Sequence, residues 1–349
     1  KIRDAVGIEY NTYDNSYLYK ANEFNSESEL KLSTTQLEQY SNCPFHYYLS
    51  RVINLDPEET IFAIELGNLA HYIFQHFREE NFDFDDEFDK QVAERAFKPI
   101  ESFLLKNKLK DQIREACRSI KEREKHYYHP NIYNEYELNL KLDNKTLITG
   151  KIDNLVVLDN QFAVCIDYKT GGSSSNFSPA KLKDGISTQL PTYILLVSGS
   201  EKFSDCQISG IYINHVLSDS ISSHKDDDEL IYDYLKLQGK TINDLSIVSK
   251  IDDTIADGVS SFIATVKLDK NQVLDQRYVI SSNEFDEYRD TVKDLFYDAA
   301  RKIRNNDFEI SPLFSKEKDG ACKYCDFKDI CYVKAAQRRL PKEEEDEQS

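Results

Sequence analysis

This sequence of 349 residues contains no methionine. Because it starts at Lys1, the deficit is expected of a piece of unusual composition cut from a larger protein, or of a chain whose methionines are missing from the sequence; the latter would compress spacings outside the motifs. No apolar run approaches the roughly 20 residues that cross a bilayer, and the first residues show no signal-peptide pattern. A soluble, cytoplasmic protein without a membrane partner is therefore expected. Positive charge is scarce as well: 44 Lys and Arg stand against 62 Asp and Glu, a net charge of -18. That balance excludes a general nucleic-acid coat, since non-specific affinity comes from cations that neutralise phosphates. Any DNA contact must be local. The acidic runs at 83–89, 226–229 and 343–347 read as solvated faces or, for the last, a disordered tail.

Several chemistries are missing too. There is no Gly-x4-Gly-Lys-Ser/Thr, and Gly171-Gly172 is followed by serines without the lysine, so a phosphate-cradling nucleotide loop is excluded. No Gly-x-Ser-x-Gly elbow and no His-Glu-x2-His zinc pattern occurs, and there is no internal repeat. What the chain does have is 40% hydrophobic and 12% aromatic residues, enough to bury a substantial core in one large domain or two smaller ones.

The pattern divides the chain into a polar lead-in from something larger (1–30), a helical region (31–130), a strand-rich core (131–216), a mixed strand and loop region (217–280), a helix followed by a cysteine segment (281–333) and an acidic tail (334–349). Ser33 or Thr34 caps a first helix that Cys43-Pro44 interrupts. Further helices are expected over Gly67–Arg78, Asp86–Lys106, Lys110–His126 and Thr188–Val197. Strands are expected from Asn134 through Lys169, at Cys206–Val216, Phe262–Leu268 and Gln276–Ile280. After a Ser282-Asn283 cap, Phe285, Tyr288, Val292, Leu295, Phe296, Ala299 and Ile303 make one apolar helical stripe.

The most informative stretch is Gly150-Lys-Ile-Asp153 followed by Asp167-Tyr-Lys169. Thr146–Leu158 and Gln161–Lys169 flank Asp159-Asn160 and read as two paired strands. Asp167 and Lys169, two apart, share a strand face, and Asp153 arrives from the neighbouring strand. Hard divalent cations favour such oxygen ligands. An Asp-x-Lys triplet alone is commonly a solvated strand end. Here Phe162, Ala163, Val164, Cys165 and Ile166 precede it without alternation, as in a strand covered on both faces, and open α/β sheets place their chemistry at such strand ends.

Cys322-x2-Cys325-x5-Cys331 is the second signal. A tetrahedral zinc or a 4Fe–4S cluster takes four protein ligands. Cys165 and Cys206 sit in apolar strands and Cys117 in a polar helix, so Cys43, at the helix break before Pro44, is the best fourth ligand. A disulfide is disfavoured in an intracellular chain. His71 lies one helical turn after Gly67, and Gln189 one turn before Tyr193; each alone reads as an ordinary helical residue.

Taken in order, Gly67-x3-His71, Gly150-x2-Asp153, Asp167-x-Lys169 and Gln189-x3-Tyr193 resemble the RecB-like branch of the PD-(D/E)xK nuclease superfamily. With Cys43 and the three late cysteines, residues 30 to 333 are similar to the nuclease region of AddB-type helicase–nuclease subunits. The resemblance implies an α/β fold, a restriction-endonuclease-like mixed central sheet flanked by helices, with a helical N-terminal region and a C-terminal iron–sulfur cysteine segment. It implies that His71, Asp153, Asp167 and the Tyr168 carbonyl bind Mg²⁺ or Mn²⁺, that Lys169 orients or activates water, and that Gln189 and Tyr193 position the DNA strand or support the site. Glu137, on an earlier strand, is a further metal candidate. Cys43, Cys322, Cys325 and Cys331 would hold the 4Fe–4S cluster. The implied activity is a Mg/Mn-dependent DNA exonuclease acting on single-stranded ends in break repair, with a helicase–nuclease partner subunit. A non-catalytic DNA-holding module, a zinc-bearing degenerate nuclease and a CRISPR-adaptation nuclease are the alternatives.

Overall fold

The computed structural model describes residues 28–55, 62–95, 97–171, 177–217, 233, 235–314 and 320–342. The lead-in, the serine loop after Gly171, the acidic run at 226–229 and the tail run at 343–347 lie wholly or mostly outside these residues.

Among the described residues, one mixed sheet of seven strands organises the fold. Its hub is β3 (Thr146–Leu158). The long β2 (Pro130–Asp143) pairs antiparallel along one edge of β3, whose other edge is shared by β1 (Leu30–Leu32, parallel) and β4 (Phe162–Lys169, antiparallel). Then β5 (Gln207–His215) joins β4 in parallel, β6 (Gln238–Ile242) joins β5 antiparallel, and β7 (Val279–Ile280) joins β6 in parallel. The β3–β4 hairpin turns on Asp159 and Asn160, with φ of 53° and 55°. Two successive left-handed residues make the type I′ turn that suits twisted strands, and Asp-Asn tolerates it.

Helices cover both faces. On one side lie α3 (Phe62–His76) and α6 (Lys110–Lys125): Phe74 packs its ring 4.9 Å from Tyr168, and the buried Arg123 bonds Asn214 of β5. On the other, α8 (Gln189–Ser198) lies on β3, β4 and β5 and is backed by α10 (Ser282–Arg304). This double cover explains the unbroken apolar run of β4 over 162–166 and the burial of β4 and β5 at nearly every position. Ahead of the sheet, α1 (Thr34–Asn42) ends at Cys43, and α2 (Pro44–Tyr47) starts at once.

Several expected boundaries move for local reasons. The expected helix over Asp86–Lys106 is two helices, α4 (Phe84–Glu94) and α5 (Pro99–Leu104), because proline holds the preceding Lys98 extended at ψ 155°. The long helix α10 is capped by Ser281, one residue earlier than expected: its side chain takes the Glu284 N–H while the Glu284 carboxylate takes the Ser281 N–H. Phe262–Leu268 forms only isolated bridges, broken by Thr265 at φ 69°, and Gln276–Ile280 shrinks to β7. Among the described residues the remaining α-helices are the short α7 (Pro179–Leu182), α9 (Leu245–Ile251) and α11 (Lys328–Cys331).

Candidate active site

The hairpin register sets Asn154 against Ile166, so the next pair out is Asp153 beside Asp167, two carboxylates on one sheet face. Asp153 Oδ2 accepts the Tyr168 N–H at 2.8 Å, which pins the first carboxylate to the second strand. From α8, the Tyr193 hydroxyl reaches Asp167 Oδ1 at 3.2 Å and Asp153 Oδ1 at 3.4 Å. Gln189, one turn earlier, donates its amide N–H to the Tyr193 oxygen (2.9 Å) and accepts from Lys169 Nζ (2.8 Å). Lys169 Nζ is also 2.8 Å from Asp167 Oδ2, an ion pair without hydrogen-bond geometry. Gln189, Tyr193, Asp153, Asp167 and Lys169 thus form one connected group. Gly150 makes this possible by letting α8 lie flush on β3: a Cβ there would sit 2.5 Å from Leu196 Cδ1.

His71 approaches from α3, its Nδ1 3.7 Å from Asp153 Oδ1 and 2.8 Å from Glu135 Oε1. Glu135, on β2, was not a sequence candidate; Glu137 was. Ligand atoms of His71, Glu135 and Asp153 all lie within 4.8 Å of one another, while Glu137 is exposed and outside that group. The cause is a bulge. The turn pairs Asp143 with Thr146, and continuing that register would bring Tyr136 to Asp153; the irregularity between Lys141 and Asp143 shifts the pairing by one and brings Glu135 there instead. Glu135 also holds φ at 50°, a left-handed conformation rare for this residue type and the sort of strain that collects at functional sites. Tyr168 contributes its N–H to Asp153, and its buried ring turns to the opposite face against Phe74.

The electrostatics follow from crowding acids in a buried place. Burial, and then the neighbouring Asp167 charge, push Asp153 well above the usual carboxylate range. Burial works against Glu135, yet hydrogen bonds from His71 and from Lys151 (Nζ to Oε2, 2.6 Å) hold it below its ordinary value. Burial likewise opposes charging of His71, but Glu135 and Asp153 raise it overall. The Tyr193 phenol, buried beside two acids, stays protonated far above its normal value. Such a set, three carboxylates and one imidazole, is chemically suited to a hard divalent cation that would relieve their repulsion. Beside it, Asp167, Lys169, Gln189, Lys181, Ser187 and Glu38 help line a cleft of about 230 Å³.

A second group, His126, Asp252 and Asp253, also gathers donor atoms. There Asp252 is occupied: its oxygens accept from Thr254, Ser260 and Phe262, closing a local turn. That explains the group as structure.

Cys43, Cys322, Cys325 and Cys331 line a single small, apolar cavity together with Phe45, Ile310 and Phe327. None of the seven cysteines is joined in a disulfide. Burial and the neighbouring thiols Cys43, Cys325 and Cys331 push Cys322 up to about 11. The backbone brings these segments together, with the Leu313 N–H donated to the Asn42 carbonyl at 2.7 Å. Cys165 and Cys117 are packed in the interior away from this group, and Cys206 is half-buried at the start of β5. Among the described residues no helix is long and apolar enough to cross a membrane.

Residues 31–332 match the PD-(D/E)XK nuclease superfamily. Three curated relatives are each named as a subunit of an ATP-dependent helicase/deoxyribonuclease. The protein from Clostridium acetobutylicum is 23% identical over 347 residues, covering 86% of this chain and 30% of its own length. One from Clostridium perfringens (strain SM101) is 24% identical over 378 residues, covering 93% and 32%. One from Listeria monocytogenes is 24% identical over 344 residues, covering 86% and 30%. The chain therefore spans about a third of the length of the relatives it matches.

Proposed function

Because the chain belongs to the PD-(D/E)XK nuclease superfamily, we propose that it is a Mg²⁺- or Mn²⁺-dependent deoxyribonuclease, an exonuclease that hydrolyses phosphodiester bonds at single-stranded DNA ends during break processing. The observation that carries this reading is the convergence of His71, Glu135 and Asp153 donor atoms beside the Asp167–Lys169 pair. The residues fit a divalent cation. His71, Glu135 and Asp153 would hold it, with Asp167 alongside; once bound, it supplies Lewis acidity to a phosphate oxygen and acidifies water.

The chain's own groups do the rest. Lys169, fixed by Gln189 and Asp167, presents an ammonium to the cleft, where it stabilises negative charge developing on the phosphoryl oxygens. Tyr193 keeps the two aspartates in place without competing as a base, because burial holds its proton. The Asp153 carboxyl, raised by burial and by Asp167, would have to be ionised to hold a cation, so binding would be coupled to proton release. The acidic surface leaves DNA contact to this cleft.

The four thiols around one apolar cavity fit a 4Fe–4S cluster held by Cys43, Cys322, Cys325 and Cys331. It would tie the end of α1 to the C-terminal segment. The names of the relatives support a helicase–nuclease partner subunit, and we assign the action to the cytoplasm. The test uses linear and circular single-stranded DNA with Mg²⁺ or Mn²⁺. Linear DNA is degraded, circular DNA resists, and Lys169→Ala and Asp153→Ala abolish cleavage while far-UV circular dichroism is kept. Full activity in either variant refutes the reading. Binding of DNA ends without metal-dependent cleavage assigns the domain a holding role instead.

A further inference from the structure

We propose that Glu38 is a positioning residue: it clamps the N-terminus of α8 and so sets Gln189 against Lys169. The first residue of α8 is Gln189, and the residue before it, Thr188, stands in the cap position without capping the helix through its side chain. Instead both of its donors turn outward to α1. The Thr188 N–H and hydroxyl donate to the same Glu38 Oε1, at 2.7 and 3.0 Å, across 150 residues of sequence. Thr188 is fully buried, so both of its donors lose their protein acceptor if the carboxylate is removed. The carboxylate also places negative charge at the positive end of the helix.

The segment leading into α8 needs such a clamp. Ser187 is held at φ 62°, a left-handed conformation that a non-glycine residue keeps only when its surroundings fix it. Gly185, at φ 74°, lies so close to α1 that a Cβ would fall 2.1 Å from Ser41 Oγ. Helix α1 thus grips the lead-in twice, at Gly185 through Ser41 and at Thr188 through Glu38. It is itself anchored: Leu37 is fully buried, the Tyr40 hydroxyl donates to the Asp307 carbonyl at 2.7 Å, and the Asn42 carbonyl accepts from Leu313. Glu38 shares the cleft with Lys169, and its bonds go to Thr188, so it acts on the ammonium through Gln189.

The activity half of this inference rests on the nuclease reading; the helix half does not. The experiment combines steady-state cleavage of linear single-stranded DNA, Mn²⁺ titration and amide hydrogen exchange on the parent chain, Glu38→Ala, Glu38→Gln, Thr188→Val and the double variant Glu38→Ala/Thr188→Val. Glu38→Ala is expected to lower kcat about 10- to 100-fold, with KM for DNA and Mn²⁺ affinity unchanged. It should speed exchange in the first turn of α8 about 10-fold or more while α10 exchanges as before. Glu38→Gln, which keeps the acceptor oxygen, should recover kcat to within about 5-fold, and the double variant should lose no more than Glu38→Ala alone. Unchanged first-turn exchange in Glu38→Ala overturns the inference, as does a loss carried by KM or by exchange throughout the fold. If the parent cleaves no DNA, the nuclease reading fails and exchange alone decides whether Glu38 clamps α8.

Discussion

Replacing Glu135 by Gln removes one negative charge from the triad and leaves the shape intact. The side chain is almost wholly enclosed, with its oxygens 2.8 Å from His71 Nδ1 and 2.6 Å from Lys151 Nζ. Gln keeps one acceptor for His71 but loses the charge that a cation would meet. A charge-assisted contact of this kind contributes about 1.5–3 kcal/mol, which at 1.4 kcal/mol per decade is about a 10- to 150-fold loss of affinity. Isothermal titration with Mn²⁺ measures it directly. The metal-free fold should hold, because the substitution also relieves repulsion with Asp153, and thermal melting checks this. The companion variant Glu137→Gln should bind Mn²⁺ as the parent does. If Glu137→Gln loses the ion and Glu135→Gln does not, the bulge-shifted register of β2 on β3 is wrong, and the strain at Glu135 has another origin.

Acid–base linkage makes a separate prediction: Asp153 and His71 sit above their unfolded values, so the stability they contribute is present below about 3.8 and 6.5 respectively and is lost as pH rises through their folded values. Glu135 has the opposite sign and protects the fold only above its depressed value, so between neutral and mildly alkaline pH the metal-free melting temperature should fall, Mg²⁺ should restore it, and apparent Mn²⁺ affinity should climb; flat profiles would contradict this site. Gly150→Ala drives a Cβ against Leu196 and should cost about 1–3 kcal/mol by denaturant melts, and combining it with Leu196→Ala should cost less than the two singles added together. Cys43→Ser and Cys325→Ser should each lower iron content and visible absorbance of anaerobically purified protein from about four irons per chain; stoichiometric zinc in the parent would replace the cluster assignment.

Much of the core could be read from the sequence because it is written in short range. The β3–β4 hairpin was legible from two apolar runs around Asp159-Asn160, and the two left-handed residues of its turn belong to types that tolerate them. Once that hairpin is drawn, Asp153 beside Asp167 follows by counting. Helical spacing puts Gln189 and Tyr193 on one face, only the resemblance singles them out, and the structure bonds them to each other directly. Local chemistry also explains the smaller misses. Pro99 divides a helix whose apolar pattern runs through it, and Ser281 competes with Ser282 for the cap and wins because Glu284 stands three residues on.

What stayed illegible depends on contacts that no window of sequence contains. Counting from the turn at Asn144-Lys145 places Tyr136 opposite Asp153, and a single bulge at Lys141–Asp143 transfers that place to Glu135. Since side chains alternate along a strand, a shift of one residue decides whether Tyr136 or an acid, Glu135, faces Asp153. The bulge leaves no composition signal of its own; only the assembled sheet reveals it. Glu38 is hidden for the same reason at longer range, since it reads as one exposed acid on a capped helix until α8 is laid against it. The acids that alternation alone could find sit on the central hairpin, while those that needed the fold sit on elements brought to it. The site's specificity of geometry therefore rests on the packing of α1, α3 and β2 around β3 and β4, and variants there should disturb the chemistry without touching the Asp-x-Lys motif.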